Sequence, residues 1–91
     1  MITREVILKN DEGLHARPAT EIVKNASKYN CDIKFEVNGI KYNAKSVLNI
    51  MSAGIKSNTQ IKIICDGVDE KDALKEIVEI FGNLNLTRGR S

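Results

Sequence analysis

The chain has one histidine and one proline, and both lie within Gly13-Leu14-His15-Ala16-Arg17-Pro18-Ala19-Thr20, where an amphipathic helix is due to begin. The first turn of a helix exposes unpaired N–H groups and the positive end of the backbone dipole, so it attracts anions. An imidazole at that mouth suits the uptake and release of a phosphoryl group. His15 is then the nucleophile, and Arg17, two residues on, is the cation that holds phosphate oxygens in a bidentate grip. The dipole also favours the neutral, nucleophilic form of the ring over imidazolium. A lone histidine at a helix start also occurs as a partly exposed cap residue with no further role, and position alone favours that reading. Glu12 pulls against a phosphate site, because a carboxylate there repels the phosphoryl group unless it turns to solvent. The sequence predicts Glu12 as an exposed loop charge.

A second position of interest is Ser46. Serine is a favoured N-cap, and the short apolar run Val47-Leu48-Asn49-Ile50-Met51 behind it reads as a helix that Ser46 opens and Gly54 closes. A phosphate on that hydroxyl would lie at its own helix end without disturbing the fold. It would set about two negative charges beside Val47, Leu48 and Met51. Those three cannot all face inward on so short a helix, so apolar surface is expected outside. Ringed by Arg17, Lys24 and Lys45, it makes a docking patch for an acidic partner. The competing expectation is that these charges form a merely solvated face.

The elements that must position these residues are readable from periodicity. The first strand covers about Ile2 to Lys9, with Ile2, Val6 and Leu8 on one face and Arg4 breaking the pattern. A loop from Asn10 to Leu14 leads to a helix over about Ala16 to Lys28, whose stripe is Ala16, Ala19, Ile22, Val23 and Ala26. Pro18 falls in its first turn, where a missing N–H costs little. Cys31, Ile33, Phe35 and Val37 alternate with charged residues in a second strand. Asn38-Gly39 signals a two-residue hairpin into a third strand with Ile40 and Tyr42 inward. After the short helix comes a fourth strand, Gln60 to Cys65. Asp69 then caps a last helix with the stripe Ala73, Leu74, Ile77, Val78 and Phe81, which Gly82-Asn83 should end. The order is β-α-β-β-α-β-α. Strands that alternate apolar with polar make a sheet covered on one face only, so the expected fold is a two-layer α+β sandwich with an open sheet face.

Size and composition exclude several function classes. At 91 residues the chain is one small domain, and a net charge of +2 does not by itself imply a nucleic-acid partner. No apolar run approaches the roughly 18 residues needed to span a bilayer, and the N-terminus lacks signal-peptide features, so the expected location is cytoplasmic. Cys31 and Cys65 lack the spacing of a zinc or redox motif and are expected to be two buried, reduced thiols. No glycine-rich nucleotide loop is present, and one histidine with two inward cysteines cannot make a metal site. Neither a cofactor nor a metal is expected.

At this point the chain closely resembles the HPr family, the histidine-containing phosphocarriers of the bacterial phosphoenolpyruvate-dependent sugar phosphotransferase system. The residues that carry the resemblance are Gly13-Leu14-His15-Ala16-Arg17-Pro18-Ala19, similar to the phosphohistidine signature, and Lys45-Ser46-Val47-Leu48-Asn49-Ile50-Met51-Ser52-Ala53-Gly54, similar to the regulatory-serine segment. The match covers residues 1–84, leaving residues 85–91 as a basic, flexible tail that extends past the usual end. The resemblance implies an open-faced β-sandwich with a four-stranded antiparallel sheet in the order 1-4-2-3. It implies that His15 takes a phosphoryl group through Nδ1 from phosphorylated enzyme I and passes it to the IIA domain of a sugar permease, with Arg17 steadying the phosphate. Ser46 would be phosphorylated by HPr kinase/phosphorylase, slowing that transfer, and the serylphosphorylated protein would be corepressor for a catabolite-control transcription factor. Ala16, Thr20, Lys24, Val47, Leu48 and Met51 match docking positions. Position 12 in the family is often small and polar, and Glu12 departs from that.

The resemblance thus implies a monomeric phosphoryl carrier rather than an enzyme acting on a small substrate. A paralogous carrier of a nitrogen- or regulation-linked phosphotransferase chain is the nearest alternative. A regulatory module read through Ser46 with His15 idle is a second, although relatives that work that way lack the histidine. An RNA-binding α+β domain needs stacking aromatics on the open sheet face. Phe35 and Tyr42 instead share the inward pattern.

Overall fold

The computed structural model describes residues 1–86. Its elements are β1 (Ile2–Ile7), α1 (Ala16–Ala26), β2 (Asp32–Val37), β3 (Ile40–Asn43), α2 (Val47–Ser52), β4 (Gln60–Asp66) and α3 (Glu70–Leu86). The four strands form one antiparallel sheet in the order β1-β4-β2-β3, with the three helices: the open-faced α+β sandwich expected from the sequence.

The strict alternation of β2 does what the period of two requires. Ile33, Phe35 and Val37 are buried under the helices, and Asp32 and Lys34 are exposed. Opposite them on β4, Ile61, Ile63 and Cys65 are fully buried, while α1 contributes Ala19, Ile22 and Ala26 to the same core. From α3, Phe81 meets Phe35 edge-on, with ring centroids 5.5 Å apart and planes at 67°. Asn38 and Gly39 have φ of 54° and 81°, the pair of left-handed residues that a twist-matched hairpin needs.

The open face has its own order. The register aligns Glu5 of β1 with Lys62 of β4, Lys62 with Glu36 of β2, and Glu36 with Lys41 of β3. Charge therefore alternates along a row crossing all four strands, which favours this pairing over slipped registers that oppose like charges. All four aromatic residues belong to the helix-covered side: Phe35 and Phe81 are buried, and Tyr29 and Tyr42 pack against the core. The open face offers no stacking platform for bases.

Four expectations need correcting. Ile40 is in the inward phase yet 56% exposed, because β3 is a short edge strand and its hairpin end reaches past the helical layer. Ala16 is exposed rather than part of the buried stripe, which begins in the same turn at Pro18 and Ala19. Asp69 precedes α3, but its carboxylate accepts from the backbone N–H groups of Asn30 (2.7 Å) and Cys31 (2.9 Å), tying the start of β2 to the start of α3. Finally, α3 does not stop at Gly82-Asn83; it runs to Leu86, and Gly82 is an exposed helical position where nothing crowds the backbone. Asn85 holds this last turn in place. Its side chain donates to the Ile7 carbonyl (3.0 Å) and accepts from the Lys9 N–H (2.7 Å). The tail expected over residues 85–91 therefore begins inside a helix, and its residues 87–91 lie outside the described residues.

Both cysteines are free and buried, as expected. Burial, then the neighbouring Asp69 carboxylate, pushes the Cys31 thiol up to about 12, and burial pushes Cys65 up to about 11. Thiols so hard to ionise are poor nucleophiles.

Candidate functional site

His15 is the N-cap of α1, in extended conformation (φ −84°, ψ −169°), and its side chain makes no capping bond. The usual donors to such a bond are the N–H groups of the second and third helical residues, and the third here is Pro18, which has none. The Ala19 N–H closes the first helical turn on the His15 carbonyl at 3.0 Å. Among the described residues, the N–H groups of Ala16 and Arg17 have no acceptor. Two backbone donors and the positive end of an 11-residue helix thus stand open beside a half-exposed imidazole.

The loop before His15 is held rather than loose. Gly13 has φ +73°, and a Cβ there would come within 2.6 Å of the Ile55 carbonyl oxygen. That same carbonyl accepts the Leu14 N–H at 2.9 Å, and the buried Leu14 side chain anchors the turn. Asn10, itself buried, donates to the Gly13 carbonyl at 3.1 Å, while its Oδ1 has no partner among the described residues. This turn brings Glu12 back onto the ring: Glu12 Oε1 lies 2.9 Å from His15 Nε2. Glu12 is exposed, as the sequence predicts, but it is not an idle charge. Sequence reasoning missed the contact, for which the three-residue spacing was the only signal.

Around the histidine, Ala16, Arg17, Thr20 and Lys24 line a shallow groove on the outer face of α1, together with Glu21 and Asn25. The Thr20 hydroxyl is taken up by its own helix, donating to the Ala16 carbonyl at 2.7 Å. Packed beside α1, α2 begins as the sequence indicated. The Ser46 hydroxyl oxygen accepts the Asn49 N–H at 3.1 Å, and Gly54 follows the last turn with φ +59°. Of the three apolar candidates on α2, Leu48 is 83% exposed and Met51 39%, while Val47 is half-buried against the core. Lys45 does not belong with the free cations expected around them, because its Nζ is bound to the Tyr29 carbonyl at 2.6 Å. Arg17 and Lys24 remain exposed.

No group of three metal-ligating side chains is assembled among the described residues, and no helix there is long and apolar enough to cross a membrane.

Comparison with known proteins bears on the family and the fold. The family model described as the PTS HPr component phosphorylation site matches residues 2–83. A crystal structure of HPr from Thermoanaerobacter tengcongensis superposes with a TM-score of 0.89 at 38% identity, covering 93% of this chain and 96% of that one. The histidine-containing phosphocarrier protein of a Mycoplasma gives 0.89 at 35% identity, over 93% and 97%. The Bacillus subtilis catabolite repression protein Crh, described as a domain-swapped, intertwined dimer, gives 0.74 at 32% identity, over 92% and 97%. The family is one of phosphocarriers rather than catalysts. An uncapped helix start at His15, an open-faced sandwich of this topology and a family match across the described domain converge on one assignment: the chain belongs to the HPr family of the phosphotransferase system.

Proposed function

We propose that this protein is a phosphoryl carrier of the sugar phosphotransferase system, in which His15 accepts a phosphoryl group through Nδ1 from phosphorylated enzyme I. It hands the group on to the IIA domain of a sugar permease. The observation that carries this reading is the open start of α1, where a half-exposed imidazole stands beside the unpaired N–H groups of Ala16 and Arg17. Those donors and the Arg17 guanidinium stabilise the charge on a phosphoryl group in transit. A step between two histidines breaks one phosphorus–nitrogen bond as it makes another of similar energy, so alignment and charge stabilisation supply most of what is needed. The groove of Ala16, Thr20 and Lys24 and the exposed Leu48 and Met51, flanked by Val47, are the surface that receives both partners. Such a carrier needs no cofactor, acts in the cytoplasm and works as a monomer.

Ser46 adds regulation in this proposal. HPr kinase/phosphorylase phosphorylates its hydroxyl, and about two negative charges beside Leu48 and Met51 slow transfer from enzyme I. The same phosphoserine makes the protein a corepressor for a catabolite-control transcription factor. The likeness to Crh favours a second reading, a Ser46-dependent regulatory module, and a third is the carrier of a nitrogen-linked chain.

The test is incubation with phosphoenolpyruvate and a catalytic amount of enzyme I, read by intact mass and phosphorus NMR. One acid-labile phosphoryl group on the wild-type protein, and none on a folded His15→Ala variant, is the expected outcome. A folded variant that is still phosphorylated overturns the site. No transfer from an active sugar-branch enzyme I to the wild-type protein overturns the sugar-carrier reading in favour of the other two.

A further inference from the structure

Glu12 departs from what a phosphate site near His15 calls for, and the structure shows what it does instead. Its carboxylate meets the ring at Nε2, 2.9 Å away, and so leaves Nδ1 unengaged. A carboxylate only accepts hydrogen bonds, so a neutral imidazole in this contact must carry its proton on Nε2, with its lone pair on Nδ1. Imidazole nitrogens point to different sides of the ring, so a phosphoryl group on Nδ1 and a carboxylate on Nε2 do not crowd each other. The repulsion expected from a carboxylate next to a phosphate is thereby relieved by geometry. The contact is also built: Gly13 sits against the Ile55 carbonyl, Leu14 is pinned to the same oxygen, and Asn10 holds the Gly13 carbonyl.

We propose that Glu12 is a positioning residue for the phosphoryl exchange: it holds the Nε2–H tautomer of His15 and balances the charge that the ring acquires when Nδ1 is phosphorylated. The inference rests on the carrier reading above. In the loading step the Nδ1 lone pair forms the bond to phosphorus as the bond between phosphorus and the donor histidine's nitrogen breaks, its electron pair returning to the donor ring. Nε2 keeps its proton, so the phosphorylated His15 ring carries one positive charge, and the Glu12 carboxylate faces it. In the unloading step the electron pair of the phosphorus–nitrogen bond returns to Nδ1. Because Nε2–H has stayed in place, the ring departs as neutral imidazole rather than as imidazolate, a far poorer leaving group. This is the division of labour seen when a carboxylate orients a catalytic histidine through its second nitrogen. Here it keeps the phosphoryl group labile.

Nitrogen-15 NMR of the unphosphorylated protein tests the contact without any partner. Wild type is expected to show the Nε2–H tautomer of the neutral ring, with slower exchange of that proton than in Glu12→Ala. Glu12→Gln, which retains an acceptor oxygen, is expected to restore the tautomer. Wild type as the Nδ1–H tautomer, or the same exchange rate in Glu12→Ala, overturns the proposal. The second arm is the lifetime of the phosphorylated form in mildly alkaline buffer. Loss of the carboxylate is expected to lengthen it about twofold to fivefold, in keeping with an exposed pair, with Glu12→Gln nearer to Glu12→Ala than to wild type. Equal lifetimes overturn the charge-balancing role. Failure to phosphorylate any of the three would instead count against the carrier reading, and the nitrogen spectra would still decide the contact.

Discussion

Two helices that pack against each other meet the same physical demand at their starts in opposite ways. At the start of α2, Ser46 satisfies the backbone: its hydroxyl oxygen takes the Asn49 N–H, and the turn is closed. At the start of α1, His15 takes none, Pro18 removes a donor from the third position, and two N–H groups remain open. Capping contributes about 1 kcal/mol, so the α1 start forgoes stability that its neighbour keeps. A helix end that forgoes its cap beside a half-exposed imidazole suits the phosphoryl exchange proposed for it. Under the proposed function, the difference separates a position whose first job is structural from one whose first job is chemical.

The sharpest way to break the α1 start is at Gly13. Gly13→Ala forces a residue with a side chain into left-handed geometry and drives its Cβ into the Ile55 carbonyl. The expected loss is roughly 2–5 kcal/mol, from the conformational strain and from the displaced backbone. Gly54→Ala, just after α2, is the control. Its φ of +59° carries the strain alone, with open space around the position, so the expected cost is about 1–2 kcal/mol. Urea unfolding of the two variants isolates the Gly13–Ile55 approach, and equal losses would show that the α1 loop is not pinned there.

Substitution at Ser46 sharpens the comparison with a smaller effect. Ser46→Ala loses the bond to Asn49 and is expected to cost about 1 kcal/mol, a fall in Tm of about 4–8 °C for a domain of this size. His15→Ala loses no cap and is expected to stay within about 0.5 kcal/mol of wild type. Ser46→Asp keeps a capping oxygen and so keeps stability. By placing charge beside Leu48 and Met51, it should slow phosphorylation of His15 severalfold in the enzyme I assay. If Ser46→Ala melts at the wild-type temperature, the contrast between the two helix starts is lost.

What could be read in the sequence was what neighbours along the chain decide. The alternation of β2, the Asn38-Gly39 hairpin and the Ser46 cap each depend on residues within a few positions, and all three are as read. The misreadings came from contacts between distant segments. Gly82-Asn83 looks like a stop, and a glycine inside a helix costs about 1 kcal/mol, yet Asn85 bonded to the end of β1 accompanies a helix that continues. Ile40 has the right phase on a strand whose end nothing covers. At the site, His15 and Arg17 could be named because the helix start that displays them is local. Glu12 reads as a bystander in the sequence because its contact with the ring depends on a turn held by Ile55, far along the chain.

The third helix start, at Asp69, extends the comparison with the smallest effect and a pH signature. Asp69 is a good capping residue in a capping position, but its oxygens hold the N–H groups of Asn30 and Cys31. Those bonds, the one from Asn30 foremost, favour the ionised carboxylate and hold it below the usual carboxylate range. The unfolded chain binds this proton more readily than the folded one. Its stabilisation is therefore complete above the ordinary aspartate value of about 3.9 and is lost as pH falls through the lowered folded value. Asp69→Asn removes the charge and leaves an amide nitrogen facing one of the two donors. It is expected to melt below wild type at neutral pH, with the gap closing on acidification. Glu70 and Glu76, also held below the usual range, keep an acid-side slope of their own in both proteins. The diagnostic is therefore the difference between the two Tm curves from neutral to about pH 3. A constant difference would mean that Asp69 acts through shape rather than charge, and would place it with Ser46, as a neutral acceptor.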